Sequence, residues 1–188
     1  TYPNNRMGDA KNGRHPYYML DINTRSAYNG LAYVNDRLEV EPELATSWEA
    51  DSDLKVWEIN LREGVKFHDG REMSADDVLA SFLFHQQKTS FAKQIVKVEK
   101  TGRHKLRMHL DKPNSEFPYI LGEYQLMVMP AEPLETIGLA GIGTGPYRIV
   151  ELDPKRRIVM ERHEGYWRKG YPYVDRFEAV SSPGRMEG

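Results

Sequence analysis

The stretch "GVKFHDGREMSADDVLASF", Gly64 to Phe82, carries a His–Asp pair, a glycine and three further acidic residues within nineteen positions. Read as architecture, it turns a strand into a helix. Gly64 ends a strand region, Phe67 anchors the next segment, and "HDGRE" forms a tight turn. Gly70 supplies the positive φ that other residues resist, and Asp69 bonds its own downstream backbone. Ser74 stands three residues ahead of Asp77, close to a capping box. Asp76 and Asp77 fall in the first helical turn, where the macrodipole favours each by about 0.3–1 kcal/mol. Val78, Leu79 and Phe82 then form an apolar stripe at helical spacing.

Read as chemistry, His68 and Asp69 would be a general-base pair. Sequence neighbours rarely point at each other, and no Ser or Cys nucleophile accompanies them. The remaining histidines, His15, His85, His104, His109 and His163, are scattered. His104 and His109 are expected on opposite faces of one strand, so they do not chelate one ion together. A second motif, "GIGTGPY" at Gly141–Tyr147, approaches a dinucleotide fingerprint. Pro146 and the strand-like "YRIVEL" follow it, where a pyrophosphate site needs a helix N-terminus. The expectation is a glycine loop crossing close to another backbone, with room to line a ligand cleft.

The 188 residues suffice for one domain or two small ones. With 39% hydrophobic and 11% aromatic residues, the chain can build a core. The formal net charge of -2, with signs mixed along the chain, offers no field to attract nucleic acid. Cysteine is absent, which excludes disulfides, thiolate nucleophiles and cysteine metal sites. No apolar run approaches the ~20 residues of a membrane helix, and the first residues show no signal-peptide pattern.

A polar loop is expected to Arg14, then a helix within His15–Tyr33 stopped at Asn29-Gly30. Pro42 and the following Glu-Leu-Ala suggest one helical turn, and Asp51–Asp53 a polar turn. Lys55–Leu61 alternates as a half-buried strand. Ile95–Lys100 and His104–Leu110 form a hairpin about Thr101-Gly102. Pro113–Leu121 reads as a short helix capped by Ser115, and Gln125–Met129 as a short strand. Tyr147–Leu152, Arg157–His163 and Val174–Val180 complete an α+β chain richer in strand than helix.

The order of motifs resembles the family 5 extracellular solute-binding proteins, the peptide and oligopeptide binders of ABC importers. Its Pro-x-Leu-Ala-x-x-Trp is matched by Pro42, Leu44, Ala45 and Trp48. Its Leu-Arg-x-Gly-Val-x-Phe-His-Asp-Gly is matched from Leu61 to Gly70, and Ala-x-Asp-Val by Ala75, Asp77 and Val78. Gly143–Tyr147 and Tyr166-Trp167 resemble two later motifs, so the likeness runs from about Ala27 to Val180.

The resemblance implies a mixed-sheet lobe of a periplasmic-binding-protein-like fold, class II, cluster C. It is expected to be truncated: residues 1–180 are most of an N-terminal lobe, and 181–188 a tail outside the family pattern. The implied role is non-catalytic solute binding outside the cytoplasmic membrane, with the solute passed to an importer permease. The implied partners are a peptide or other small solute and that permease, with no nucleic acid, no cofactor and no metal. The alternative is the ligand-sensing domain of a transcription regulator. Candidate ligand contacts are Tyr17, Tyr18 and Thr144, while Trp48, Trp57, Phe67, Phe82 and Trp167 are assigned to the core. One lobe alone is expected to bind weakly, and to self-associate through exposed apolar surface.

Overall fold

A computed structural model of the chain describes residues 25–131, 141–153 and 157–180. Strands β1 (Ala32–Val34) and β2 (Val40–Pro42) form a small hairpin. Strands β3 (Ala45–Ala50), β4 (Val56–Leu61), β5 (Ile95–Gly102) and β6 (Lys105–Leu110) form an antiparallel sheet in the order β3-β4-β6-β5. Helix α1 (Ala75–Lys88) covers it, followed by a 3-10 turn at Phe91–Gln94 and the short helix α2 (Phe117–Leu121). Strands β7 (Tyr147–Asp153), β8 (Arg157–Arg162) and β9 (Arg176–Val180) form a second antiparallel sheet, a simple meander.

Alternation dictates the first sheet's faces. Trp57, Ile59 and Leu61 of β4 and Leu106, Met108 and Leu110 of β6 are buried. Ile59 pairs with Leu106 and Trp57 with Met108, so same-face neighbours in the register are apolar. Helix α1 lays Ala75, Val78 and Phe82 on that face. Burying such side chains contributes roughly 1.5–3 kcal/mol each. Trp57, Phe67 and Phe82 are core residues as expected, and Trp48 and Trp167 pack half-buried against the same cluster.

The capping box is present. Ser74 Oγ accepts from Asp76 N–H at 3.3 Å, and Asp77 Oδ2 accepts from Ser74 N–H at 2.8 Å. Gly70 has φ of 87°, and Asp69 Oδ1 accepts from Arg71 N–H at 3.0 Å. Asp51–Asp53 is the expected turn.

Several local expectations are corrected. The helix expected within His15–Tyr33 lies largely outside the described residues; residues 25–27 are helical, and Tyr33 belongs to β1. Residues after Pro42 run into β3 with no helical turn, because Glu43, Leu44 and Ala45 donate their amides to Leu31 and Gly30 carbonyls. The β5–β6 turn sits at Arg103-His104, since β5 continues through Thr101-Gly102 past a bulge. His104 therefore lies in the turn. Helix α2 starts later than expected and has Glu116, whose side chain makes no capping bond, at its N-cap.

Gln125–Met129 is not a strand, although Leu126 to Met129 are buried. Helix α1 instead satisfies backbone groups at Met127 and Met129, while the Val128 amide goes to Asn29 O. Asp77, Ser81, His85 and Thr89 recur every four residues and are all buried. Asp77 Oδ1 accepts from Ala131 N–H at 2.9 Å, and Ser81 Oγ from Met129 N–H at 2.9 Å. His85 Nε2 meets Met127 O at 2.8 Å, and Thr89 Oγ1 donates to Gln125 Oε1 at 2.7 Å. Four helical residues rise about 6.0 Å. Two extended residues rise about 6.6 Å. The two spacings match, so each four-residue step on the helix meets a two-residue step on the segment. Leu126 and Val128 enter the first core, while Met127 and Met129 enter a second with Ala27, Tyr28, Ile158 and Met160. This segment is the seam between the cores.

Candidate functional site

The Gly141–Gly145 loop meets residues 26–28 at the seam. Gly145 N–H donates to Ala27 O at 3.0 Å. A Cβ on Gly143 would lie 2.0 Å from Ala27 O, and one on Gly145 would lie 2.5 Å from Ala27 C. Only glycine permits this approach, and the expected close backbone crossing is present.

His68 holds the loop from the other side. Its Nε2 donates to Gly145 O at 3.0 Å, and its Nδ1 accepts from Gly143 N–H at 3.2 Å. His68 N–H also donates to Gly143 O at 2.9 Å. His163 Nδ1 lies 3.3 Å from Gly145 O, and the two imidazoles meet edge to face at 4.9 Å. Burial pushes the His68 pKa down to about 4, which keeps the ring neutral and able to accept from Gly143. Burial also lowers His163. Asp69 turns to Arg71, at 3.7 Å from its Nε. Both ring nitrogens of His68 are committed to the loop, so the ring has no nitrogen left to act as a base.

A polar cluster lies beside the loop. Asn29 Oδ1 accepts from Thr144 Oγ1 and from Trp167 Nε1, each at 3.2 Å. Asn29 Nδ2 donates to Glu43 Oε1 at 2.7 Å, and Gly30 N–H to Glu43 Oε2 at 2.7 Å. Arg62 lies over the Trp167 ring at 4.3 Å and donates through Nε to Glu43 O. Burial raises the Glu43 pKa to about 7, against the lowering effect of those hydrogen bonds. Burial likewise pushes Tyr166 up to about 12.

Thr144 is thus placed, fully buried, with its hydroxyl on Asn29. Tyr17 and Tyr18 lie outside the described residues. Of the three proposed ligand contacts, Thr144 alone lies among the described residues. Asn29 and Glu43 were missed by sequence reasoning, which placed Asn29 at a helix stop and Glu43 in a turn. The available signal was Glu43 itself, a carboxylate between the family motif's Pro42 and Leu44. Among the described residues, no group of three His, Cys, Asp or Glu is placed to hold a metal ion. No helix among them is long and apolar enough to cross a membrane.

The model of the bacterial extracellular solute-binding proteins, family 5 Middle, matches residues 39–185. The chain belongs to that family. The match contains the His68 turn, helix α1, the glycine loop and the Tyr166-Trp167 pair. This family 5 chain is similar over 95% of its length to NikA from Brucella suis, solved with Fe(III)-EDTA, at 26% identity and a TM-score of 0.83. It covers 38% of that protein. The oligopeptide-binding protein AppA from Bacillus subtilis, solved with a nonapeptide, matches over 87% of this chain and 35% of its own, at 25% identity and a TM-score of 0.75. The HTH-type transcriptional regulator SgrR of Salmonella typhi is 33% identical over 139 residues, which are 72% of this chain and 25% of SgrR. The family 5 chain spans between 25% and 34% of the length of the leading curated relatives it matches. The periplasmic-binding-protein-like fold is therefore shared, over a portion of it.

Proposed function

We propose that this chain forms part of one lobe of an extracytoplasmic solute-binding protein that hands a peptide-type solute to an ABC importer permease. The observation that carries the reading is the family match over residues 39–185. The likeness to AppA supports a peptide-type solute. The loop geometry fits a rim element. Residues 26–28 are fixed between the glycine loop and the second core, and Tyr17 and Tyr18 stand eight or more positions before them in the sequence. In this reading Tyr17 and Tyr18 meet the solute, and Thr144 contributes from beneath through Asn29. No catalytic role is assigned; His68 is committed to the loop.

Binding proteins of this kind close two lobes on a ligand, and contacts from both give the affinity. One lobe offers part of those contacts while the ligand loses much the same freedom. Titration calorimetry of a peptide series tests this on the 188-residue chain and on a full-length protein containing it. The full-length protein is expected to bind at micromolar Kd or tighter, and the chain at least about 100-fold more weakly. A micromolar Kd for the chain alone would contradict the single-lobe reading.

The match to SgrR favours a second reading, the ligand-sensing domain of a transcription regulator. Cell fractionation of the full-length protein separates the two. Recovery outside the cytoplasmic membrane supports uptake, and recovery on DNA in the cytoplasm supports regulation.

A further inference from the structure

Asn29-Gly30 is a pair of residue types prone to modify itself. Glycine has no Cβ, so its amide nitrogen has a clear approach to the preceding carboxamide carbon. In that reaction the Gly30 nitrogen gives up its proton and bonds to Asn29 Cγ. The Cγ–Nδ2 bond breaks and ammonia leaves. Water then opens the succinimide ring at either carbonyl. The product is aspartate, or isoaspartate, in which the main chain runs through the side-chain carbons.

One carboxylate grips both reacting groups. Asn29 Nδ2 donates to Glu43 Oε1 at 2.7 Å, and Gly30 N–H donates to Glu43 Oε2 at 2.7 Å. The rest of the pair is pinned as well. Thr144 Oγ1 and Trp167 Nε1 donate to Asn29 Oδ1, and Tyr166 Oη lies 3.5 Å from Nδ2. Asn29 O accepts from Val128 N–H at 3.0 Å, and Gly30 O from Leu44 N–H at 3.1 Å. Ring closure removes the proton on Gly30 and expels Nδ2, so it dissolves both bonds to Glu43. We propose that Asn29-Gly30 is a latent deamidation site, that Glu43 holds it closed, and that its conversion unlocks the glycine loop.

The surroundings leave the product no room. Asn29 is 2% exposed, inside the described interior. Aspartate sets a second carboxylate against Glu43 where a donor stood, and two unpaired acceptors at that distance repel. Isoaspartate lengthens the main chain by a methylene just after Ala27. Ala27 O accepts from Gly145 N–H at 3.0 Å, and a Cβ on Gly143 would already lie 2.0 Å from it. Thr144, between those glycines, hangs on the carboxamide that the reaction destroys. Either product therefore pushes residues 27–29 and the loop apart. This site is independent of the solute reading.

Peptide mapping by mass spectrometry follows Asn29 in the 188-residue chain, folded and in urea, at about pH 8, above the Glu43 pKa of about 7. The folded chain is expected to convert at least about 100-fold more slowly, because two bonds to a charged group must be given up. Glu43→Gln leaves one acceptor for two donors and is expected to speed the folded chain at least about tenfold. Ser81→Ala loosens the fold away from Glu43 and is expected to leave Asn29 slow. Thr144→Val frees Asn29 Oδ1, is expected to speed conversion too, and covers the case in which Glu43→Gln fails to fold. The converted chain is expected to lose amide protection at Gly145 while β4 keeps its own. A folded chain as fast as the chain in urea, or faster with Glu43 as the base, would overturn the proposal. So would Glu43→Gln and Thr144→Val no faster than Ser81→Ala, or intact protection at Gly145 after conversion.

Discussion

The hydroxyl of Ser81 accepts a hydrogen bond from the Met129 amide at 2.9 Å, 48 residues further along the chain. The same hydroxyl donates to Asp77 O at 2.7 Å, so it is used in both directions inside a dry interface. Helix α1 thereby does for Gln125–Ala131 what a neighbouring strand does in a sheet.

Ser81→Ala removes the acceptor and leaves the Met129 amide buried without a partner. The expected cost is about 1–3 kcal/mol in denaturant melts. Amide exchange locates the effect. Met129 is expected to exchange faster, while Val128, bonded to Asn29 O, keeps its protection relative to global stability.

The ladder explains one limit of the sequence. Leu126–Met129 has the apolar run of a buried strand, and periodicity cannot tell whether a strand or a helix side-chain row satisfies its backbone. The stripe Asp77, Ser81, His85, Thr89 was legible only as scattered polar residues within an amphipathic helix. By contrast, the Ser74 cap, the Gly70 turn and the β4 alternation are local, and the sequence alone sufficed for them. The glycine loop was read as a close backbone crossing, but its partner, residues 26–28, is more than 100 positions away and carries no sequence mark. Asn29 and Glu43 escaped for the same reason: their meaning lies in Thr144, Tyr166 and Trp167, which only folding brings near.

Gly143→Ala should be among the most damaging single changes in the chain. The new Cβ would fall 2.0 Å from a backbone oxygen, so the loop must move and lose His68 with it. A loss of about 3 kcal/mol or more is expected. Gly70→Ala meets nothing within 4 Å and bears only the strain of φ at 87°. Its expected cost is about 1–2 kcal/mol. Thermal melts of both variants check the order.

Glu43 sets a pH dependence with a defined sign. Its folded pKa of about 7 stands above the ordinary carboxylate value of 4.5, so the folded state holds the proton more tightly. Its contribution is greatest at low pH and is lost as pH rises from about 4.5 to about 7, by up to about 3 kcal/mol. His68 and His85 act oppositely. Both have folded pKa values near 4, so their contribution is present above 6.5 and is lost as pH falls through that window. Over the shared window the two histidines outweigh the one carboxylate, so stability is expected to fall as pH drops from about 6.5 to about 4.5, and Glu43→Gln is expected to steepen that fall. Urea melts from pH 4 to 8 on both chains read the two slopes.

Asp69→Ala loses an exposed turn contact to Arg71 and is expected to cost no more than about 1 kcal/mol, measured by thermal melts.

The most direct measurement is amide exchange at Gly143 in His68→Ala, alongside the variant's denaturant stability. If His68 is the clamp that fixes the glycine loop, the Gly143 amide loses its protection beyond the global change, and stability falls by about 1–3 kcal/mol. Unchanged protection at Gly143, with stability equal to that of the unsubstituted chain, would contradict an architectural His68.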